Sequence, residues 1–243
     1  RTLVSDTAGA YEWLADEPML HEPVLVVMLT GWIDAAGAAE AAADALSKEC
    51  ETSPLVRFDD DTFVDFRARR PIMELRDGVN TDLVWSTIEL RAGRSTSGRD
   101  VLMLVGPEPD MAWHRFARAV SDLAVELGVT KMIGFGAYPF ATPHTRPARL
   151  SCTSPSTEVL ASVTFQRSSV DVPAGMNLGE GTLADPPQLE VYSVTDADPE
   201  AVLQVMQTLM AGLPDVVREV SPILVPLSIP LACGISVLVG VVF

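Results

Sequence analysis

Lysine is nearly missing from this chain: Lys48 and Lys131 are the only two in 243 residues, and the other fifteen bases are arginine. Together with the many alanines, this bias suggests a GC-rich bacterial source. Cysteine is just as scarce. Cys50, Cys152 and Cys233 are odd in number, far apart and without CxxC or Cys/His spacing, which excludes a disulfide scaffold or zinc module and fits free thiols in a reducing cytoplasm. A positive net charge is also lacking. Seventeen bases stand against thirty-three acids, for a formal charge of −16, the wrong sign for a surface that tracks phosphate backbones. Nucleic acid is therefore not an expected partner. No basic segment followed by an apolar one opens the chain, so no secretion signal is read. Motifs are few as well: there is no Walker loop, no GxGxxG after a strand, no HExxH and no GxSxG. The common nucleotide, zinc-protease and serine-hydrolase signatures are thus absent, no cofactor is expected, and the sequence leaves open whether the chain is an enzyme.

What is present is apolar material and an uneven charge. At 48% hydrophobic the chain can bury a sizeable core without disulfides or metal. Residues 1–66 hold fourteen acids and three bases, net −11, whereas residues 67–99 carry seven arginines against four acids. The run Asp59, Asp60, Asp61, Asp65 is followed directly by Arg67, Arg69 and Arg70. Such complementarity fits pairing within one molecule, pairing across an oligomer seam, or simply a solvated charged loop. The mean hydropathy of +0.24 is high for so charged a chain, and the excess sits in residues 221–243. This tail carries no charge and is broken by Pro222, Pro226 and Pro230, leaving thirteen uninterrupted residues where a spanning helix needs ~20. It is read as a buried strand, a packed segment or an oligomer contact rather than a membrane anchor.

Val24–Thr30 is an unbroken apolar run between Pro23 and Gly31, the pattern of a strand buried on both faces. A helix is expected over 35–48, with Asp34 as its cap. Short strands are expected over 55–58 and 62–66 and a longer one over 83–91; 100–105 repeats the buried pattern. A helix over 110–127 should end at Gly128, and a third strong strand is expected over 129–138. Beyond a Pro-rich loop, a short helix over 157–163, a strand over 190–195 and a helix over 198–210 complete the reading. Strands alternating with helices point to an α/β three-layer sandwich. The division expected is an α/β/α domain over 1–195 and a smaller helical or irregular part over 196–243.

Three strings carry a resemblance. They are Leu29-Thr-Gly-Trp-Ile-Asp-Ala-Ala-Gly-Ala-Ala39, Gly106-Pro-Glu-Pro-Asp-Met-Ala-Trp-His-Arg-Phe116 and Pro143-His-Thr-Arg-Pro147, each just after a strong strand. Over about residues 20–170 the chain resembles the proteasome assembly chaperone 2 family, in particular its actinobacterial branch, whose function is uncharacterised. The resemblance implies a phosphorylase/hydrolase-like α/β/α fold with a smaller, mainly helical C-terminal part, and a homotrimer. It also shows departures: after Val172-Pro-Ala-Gly175 the chain moves quickly to Leu189-Glu-Val-Tyr192, and it ends Val241-Val-Phe243. Relatives that dock on the proteasome through a hydrophobic-Tyr-any tail have a tyrosine there, so docking by that route is not expected.

All three strings lie at strand carboxyl ends, where open α/β sheets bind ligands and helix N-termini present free amides. Gly31, Trp32 and Asp34 make either the rim of a pocket or a plain turn with an N-cap and a packed indole. Trp113 and His114 follow Glu108 and Asp110, so His114 is either a general base with carboxylates nearby or a surface histidine. His144, Thr145 and Arg146 stand between two prolines. There Arg146 either clamps a carboxylate or phosphate, or pairs with an acid such as Glu108. Consecutive residues cannot all aim at one ion, and Asp59–Asp61 lack calcium-loop spacing, so no metal is expected. Two functions remain. One is a non-enzymatic assembly-chaperone-like or scaffolding homo-oligomer in the cytoplasm, with itself and other proteins as partners. The other is a nucleoside- or carboxylate-type binding protein, hydrolase or phosphorylase with its pocket at the strand ends.

Overall fold

The computed structural model describes residues 7–32, 34, 37–139, 149–153 and 235–242. Its ten strands are β1 (Tyr11–Trp13), β2 (Val24–Thr30), β3 (Ser53–Phe58), β4 (Ile72–Arg76), β5 (Val79–Val84), β6 (Glu89–Arg94), β7 (Asp100–Pro107), β8 (Lys131–Pro139), β9 (Arg149–Thr153) and β10 (Ile235–Val242). Three helices accompany them: α1 (Ala38–Glu49), the single turn α2 (Asp60–Phe63) and α3 (Trp113–Glu126). Eight strands form one mixed sheet in the order β1-β3-β6-β7-β2-β8-β10-β9, while β4 and β5 make a separate hairpin.

β2 is the sheet's centre because its whole apolar run is buried. It lies parallel to β7 on one side and β8 on the other. Alternate side chains of a strand point to opposite faces. Leu25, Val27 and Leu29 accordingly join Leu102 and Leu104 of β7 in a cluster with Phe116, Val120 and Leu123 of α3. Val24, Val26, Met28, Val101 and Met103 are also buried but lie outside that cluster. Their face is covered by α1, which packs on β2, β7 and β8 through Ala39, Ala42 and Leu46. The result is the α/β/α sandwich that the alternation of elements implied.

Several boundaries differ from expectation. The helix after β2 begins at Ala38, not 35, and the one after β7 at Trp113, not 110. The segment 62–66 is no strand: Asp60–Phe63 form one helical turn whose Phe63 is buried edge-on against Phe116, with ring centroids 5.2 Å apart. The expected strand over 83–91 is two. Val79–Val84 pairs with β4 outside the main sheet, and Glu89–Arg94 pairs with β3 and β7 inside it. Residues 235–242 of the apolar tail form the strand inserted between β8 and β9. The elements expected over 157–163, 190–195 and 198–210, and the division at 195/196, lie outside the described residues. Among the described residues no helix is long and apolar enough to cross a membrane.

Candidate functional site

β2, β7 and β8 run in one direction, and β3, separated from β7 by the antiparallel β6, runs with them. Their carboxyl ends therefore share one edge of the sheet. Thr30 sits beside Pro107 there, which brings the first two motif strings together.

The contact between them is specific. The Glu108 N–H donates to the Thr30 carbonyl at 2.7 Å, and the Trp32 N–H donates back to the Glu108 carboxylate at 3.1 Å. Glu108 is only 6% exposed, so this bond offsets the cost of burying a charge. Gly31 has φ of +153°, and a Cβ placed on it would stand 2.6 Å from Glu108 Oε2. Only glycine leaves room for that carboxylate.

Asp34 does cap α1, from farther upstream than expected. Gly37, in the left-handed region at φ 68°, occupies the residue before the helix. Asp34, buried, reaches past it to accept the Ala39 N–H at 2.6 Å and the Glu40 N–H at 3.2 Å. Two of the free amides that would greet an anion at this helix start are thus engaged by this side chain.

Asp110 is tied to the arginine-rich segment rather than to a ligand. Arg69 Nε donates to both its oxygens, at 3.2 and 3.0 Å, and the Asp65 N–H donates to it at 3.0 Å. Arg69 also reaches the Glu108 carbonyl at 3.5 Å. Asp65 is itself held below the usual carboxylate range, chiefly by the Arg67 N–H and then by the Arg67 side chain. Charge complementarity between the acidic run and the arginines is thus met, at least here, within one molecule.

Trp32 is 46% exposed and Trp113 37% exposed, with Met111 exposed as well. The expected packed indole is therefore half in solvent. His114 is exposed on the first turn of α3. His144, Thr145 and Arg146 lie outside the described residues. Of the strands that bound their segment, β8 ends at Pro139 beside Ile235 and β9 starts at Arg149 beside Ser236, both at this same edge.

The acidic triplet is plain in the sequence, whereas its surroundings are assembled only by the fold. An open groove of about 560 Å³ lies beside β1 and β3, lined by Asp59, Asp60 and Asp61 together with Tyr11, Phe66 and Trp85. Asp59 precedes α2: its carbonyl accepts the Thr62 and Phe63 N–H groups, both at 3.1 Å, and its carboxylate accepts the Thr62 hydroxyl. Burial raises the Asp60 carboxyl above its ordinary value, assisted by Asp59 and Asp61 and opposed by the Ile88 N–H and Arg57. Among the described residues no three His, Cys, Asp or Glu side chains converge as a metal ion would require.

Comparison with known proteins agrees with this architecture. Residues 28–214 match the model of the PAC2 family. No curated protein matches the chain. Among solved structures, a protein of unknown function from Corynebacterium glutamicum ATCC 13032 superposes with a TM-score of 0.68 at 26% identity, covering 90% of this chain and 88% of that one. A PAC2 family protein from Streptomyces avermitilis MA gives 0.62 at 25% identity over 84% and 94% of the two chains. The Mycobacterium tuberculosis proteasome-assembly chaperone homologue Rv2125 gives 0.62 at 23% identity over 84% and 93%, a likeness of fold. With the family match running from residue 28 to residue 214 and the same fold in these neighbours, the chain belongs to the PAC2 family.

Proposed function

We propose that this chain is a non-enzymatic, assembly-chaperone-like or scaffolding protein that acts as a homotrimer in the cytoplasm and takes proteasome subunits as partners. One observation carries the reading. Among the described residues around Glu108, at the carboxyl edge where an α/β fold would hold a small ligand, the polar groups are engaged by the chain's own side chains, whereas the large apolar ones face outward. Glu108 takes the Trp32 amide, Asp34 takes the α1 amides and Arg69 takes Asp110, while Trp32, Met111 and Trp113 are exposed. Exposed tryptophan and methionine are favoured anchors of protein interfaces. The name of the Mycobacterium tuberculosis relative supplies the partner class.

The test is reconstitution: separately purified proteasome subunits are mixed with and without the full chain, and particle formation is followed by native electrophoresis. Faster assembly, weakened by Trp32→Ala with Trp113→Ala, is expected. Unchanged assembly at every ratio sinks the proposal. Light scattering should give three times the chain mass. The alternative, a nucleoside or carboxylate pocket, draws on the position of the three motifs at strand carboxyl ends. A concentration-dependent rise in melting temperature with adenosine, phosphate or acetate would favour it instead.

A further inference from the structure

The groove beside β1 and β3 is a surface of a different kind from the edge around Glu108. Its walls are aromatic: Phe66 meets Trp85 edge to face at 4.8 Å, and Tyr11 meets Phe58 at 6.0 Å. Its charge is acidic, with Glu12, Asp59, Asp60 and Asp61 against Arg57, the one cation among the described residues that line it. That cation is already committed, its Nη2 donating to Glu89 at 3.1 Å. Asp60 Oδ1 and Arg57 Nε are both shielded from solvent and have no hydrogen-bond partner. Two further carboxylates adjoin: the Tyr11 phenol is pushed up by burial, then by Glu126 and Asp122, and it hydrogen-bonds Glu126.

At Trp85 the groove meets the hairpin of β4 and β5. Asp77 and Gly78, at φ 50° and 80°, make its two-residue turn, the geometry that matches strand twist. The paired residues Ile72 and Val84, then Met73 and Leu83, are exposed, with Ile72 at 68% and Val79 at 62%. Successive residues of a strand face opposite ways, so Ile72 and Val84 lie on one face of the hairpin and Met73 and Leu83 on the other. A two-stranded hairpin is marginal on its own, and apolar side chains exposed on both of its faces mark it as an interaction surface. The next pair along the hairpin is Glu74 opposite Asp82. Like charges placed directly across a ladder repel, and only Glu74 of the two is bridged by Arg76, at 2.9 Å.

We propose that the groove and hairpin form one docking surface for a basic, partly apolar polypeptide segment of a protein partner. An arginine or lysine of that segment enters between the aromatic walls and the Asp59–Asp61 carboxylates, and its apolar neighbours lie on the hairpin. Charge complementarity selects the occupant. An anion meets four carboxylates, and nucleic acid meets a chain of charge −16. A cation gains both the carboxylates and the faces of the rings. A small amine would leave the hairpin uncovered. The inference rests on the proposed function only in expecting a protein partner, and peptide binding is read independently of proteasome assembly.

The probe is an acetylated, amidated seven-residue peptide alternating leucine and arginine, titrated into the full chain by calorimetry, with its leucine–glutamate counterpart as control. Saturable binding of the arginine peptide alone is expected. It should weaken about tenfold or more in Asp60→Asn with Asp61→Asn, and similarly in Trp85→Ala. The control Asp16→Asn with Glu17→Gln removes the same charge from exposed positions outside the groove and should stay within about twofold of the parent. Three results overturn the proposal: equal weakening in that control, equal binding of the glutamate peptide, or undiminished binding in the groove variants. Light scattering on the groove variants separates the remaining occupant. Dissociation of the chain's own oligomer would mean that a second copy, not a basic partner segment, fills the surface.

Discussion

The edge around Glu108 and the groove around Asp60 are built from the same materials, carboxylates and aromatic rings, yet they differ in what those groups meet. Glu108 is buried and receives an amide hydrogen bond from Trp32. Asp60 is half-buried, and one of its oxygens has no partner. At the first place the chain has completed its own hydrogen bonding, so residues there hold loops in position. At the second, the Glu12 and Asp61 side chains and the Trp85 ring are exposed, which is what a surface awaiting a partner presents, while the unpartnered Asp60 oxygen is shielded from solvent. Strand carboxyl ends alone do not make a site; local satisfaction decides.

Both regions share one support, and removing it gives the largest expected effect. Phe116 of α3 lies 4.8 Å from Phe58, which lines the groove, and 5.2 Å from Phe63 of α2, whose carbonyl accepts the Asp110 N–H at 2.8 Å. Phe116→Ala should lower unfolding free energy by about 3–5 kcal/mol in urea titration, disturbing groove and edge together. A loss under about 1 kcal/mol would mean the aromatic cluster does not hold them. Next in size, Glu108→Ala leaves the Trp32 N–H without its acceptor and should cost about 1.5–3 kcal/mol. Glu108→Gln keeps an acceptor and should cost less. Neither should alter binding of the arginine peptide, and an altered affinity would erase the distinction between the two regions. Asp34→Ala removes the α1 cap for about 1 kcal/mol, readable as a lower melting temperature with native-like circular dichroism.

The sequence made the sandwich legible where burial dominates. Val24–Thr30 matches its strand end for end, because an unbroken apolar run has no stable place except the middle of a covered sheet. The cap at Asp34 was visible too, although not that Gly37 would carry the chain on before the helix. What failed depends on long-range pairing. Nothing between Val84 and Glu89 breaks the alternation, so 83–91 reads as one strand. The division arises only because Val79–Val84 pairs with β4, whereas Glu89–Arg94 is claimed by β3 and β7. Asp77-Gly78 is a usable hairpin signal, but it does not say that the strands it joins stay out of the main sheet. Asp59 before Asp60 and Asp61 is also a helix-start pattern, and α2 follows it. Of the candidate site, the Gly31–Glu108 pairing was legible as proximity of two motif strings. The groove was not, since Tyr11, Phe66 and Trp85 come from three separate segments.

The smallest effect is also the most pointed test of the groove. Burial raises the folded-state pKa of Asp60 above its unfolded value, so its charged form opposes folding. That penalty is fully present above the raised pKa. It fades as pH falls through that value, and it is gone below the ordinary carboxylate pKa of about 3.9, where both states are protonated. Asp60→Asn keeps an acceptor for the Ile88 N–H and removes the charge. It should therefore stabilise the chain at neutral pH by less than about 1 kcal/mol, given solvent screening at a half-open site, with the gain shrinking to nothing in acid. Measured across pH by urea unfolding, a neutral-pH loss would mean that Asp60 is held by an internal partner, as Glu108 is, and the contrast between the regions would collapse. A gain in stability coupled to weaker peptide binding is what a carboxylate kept for recognition predicts.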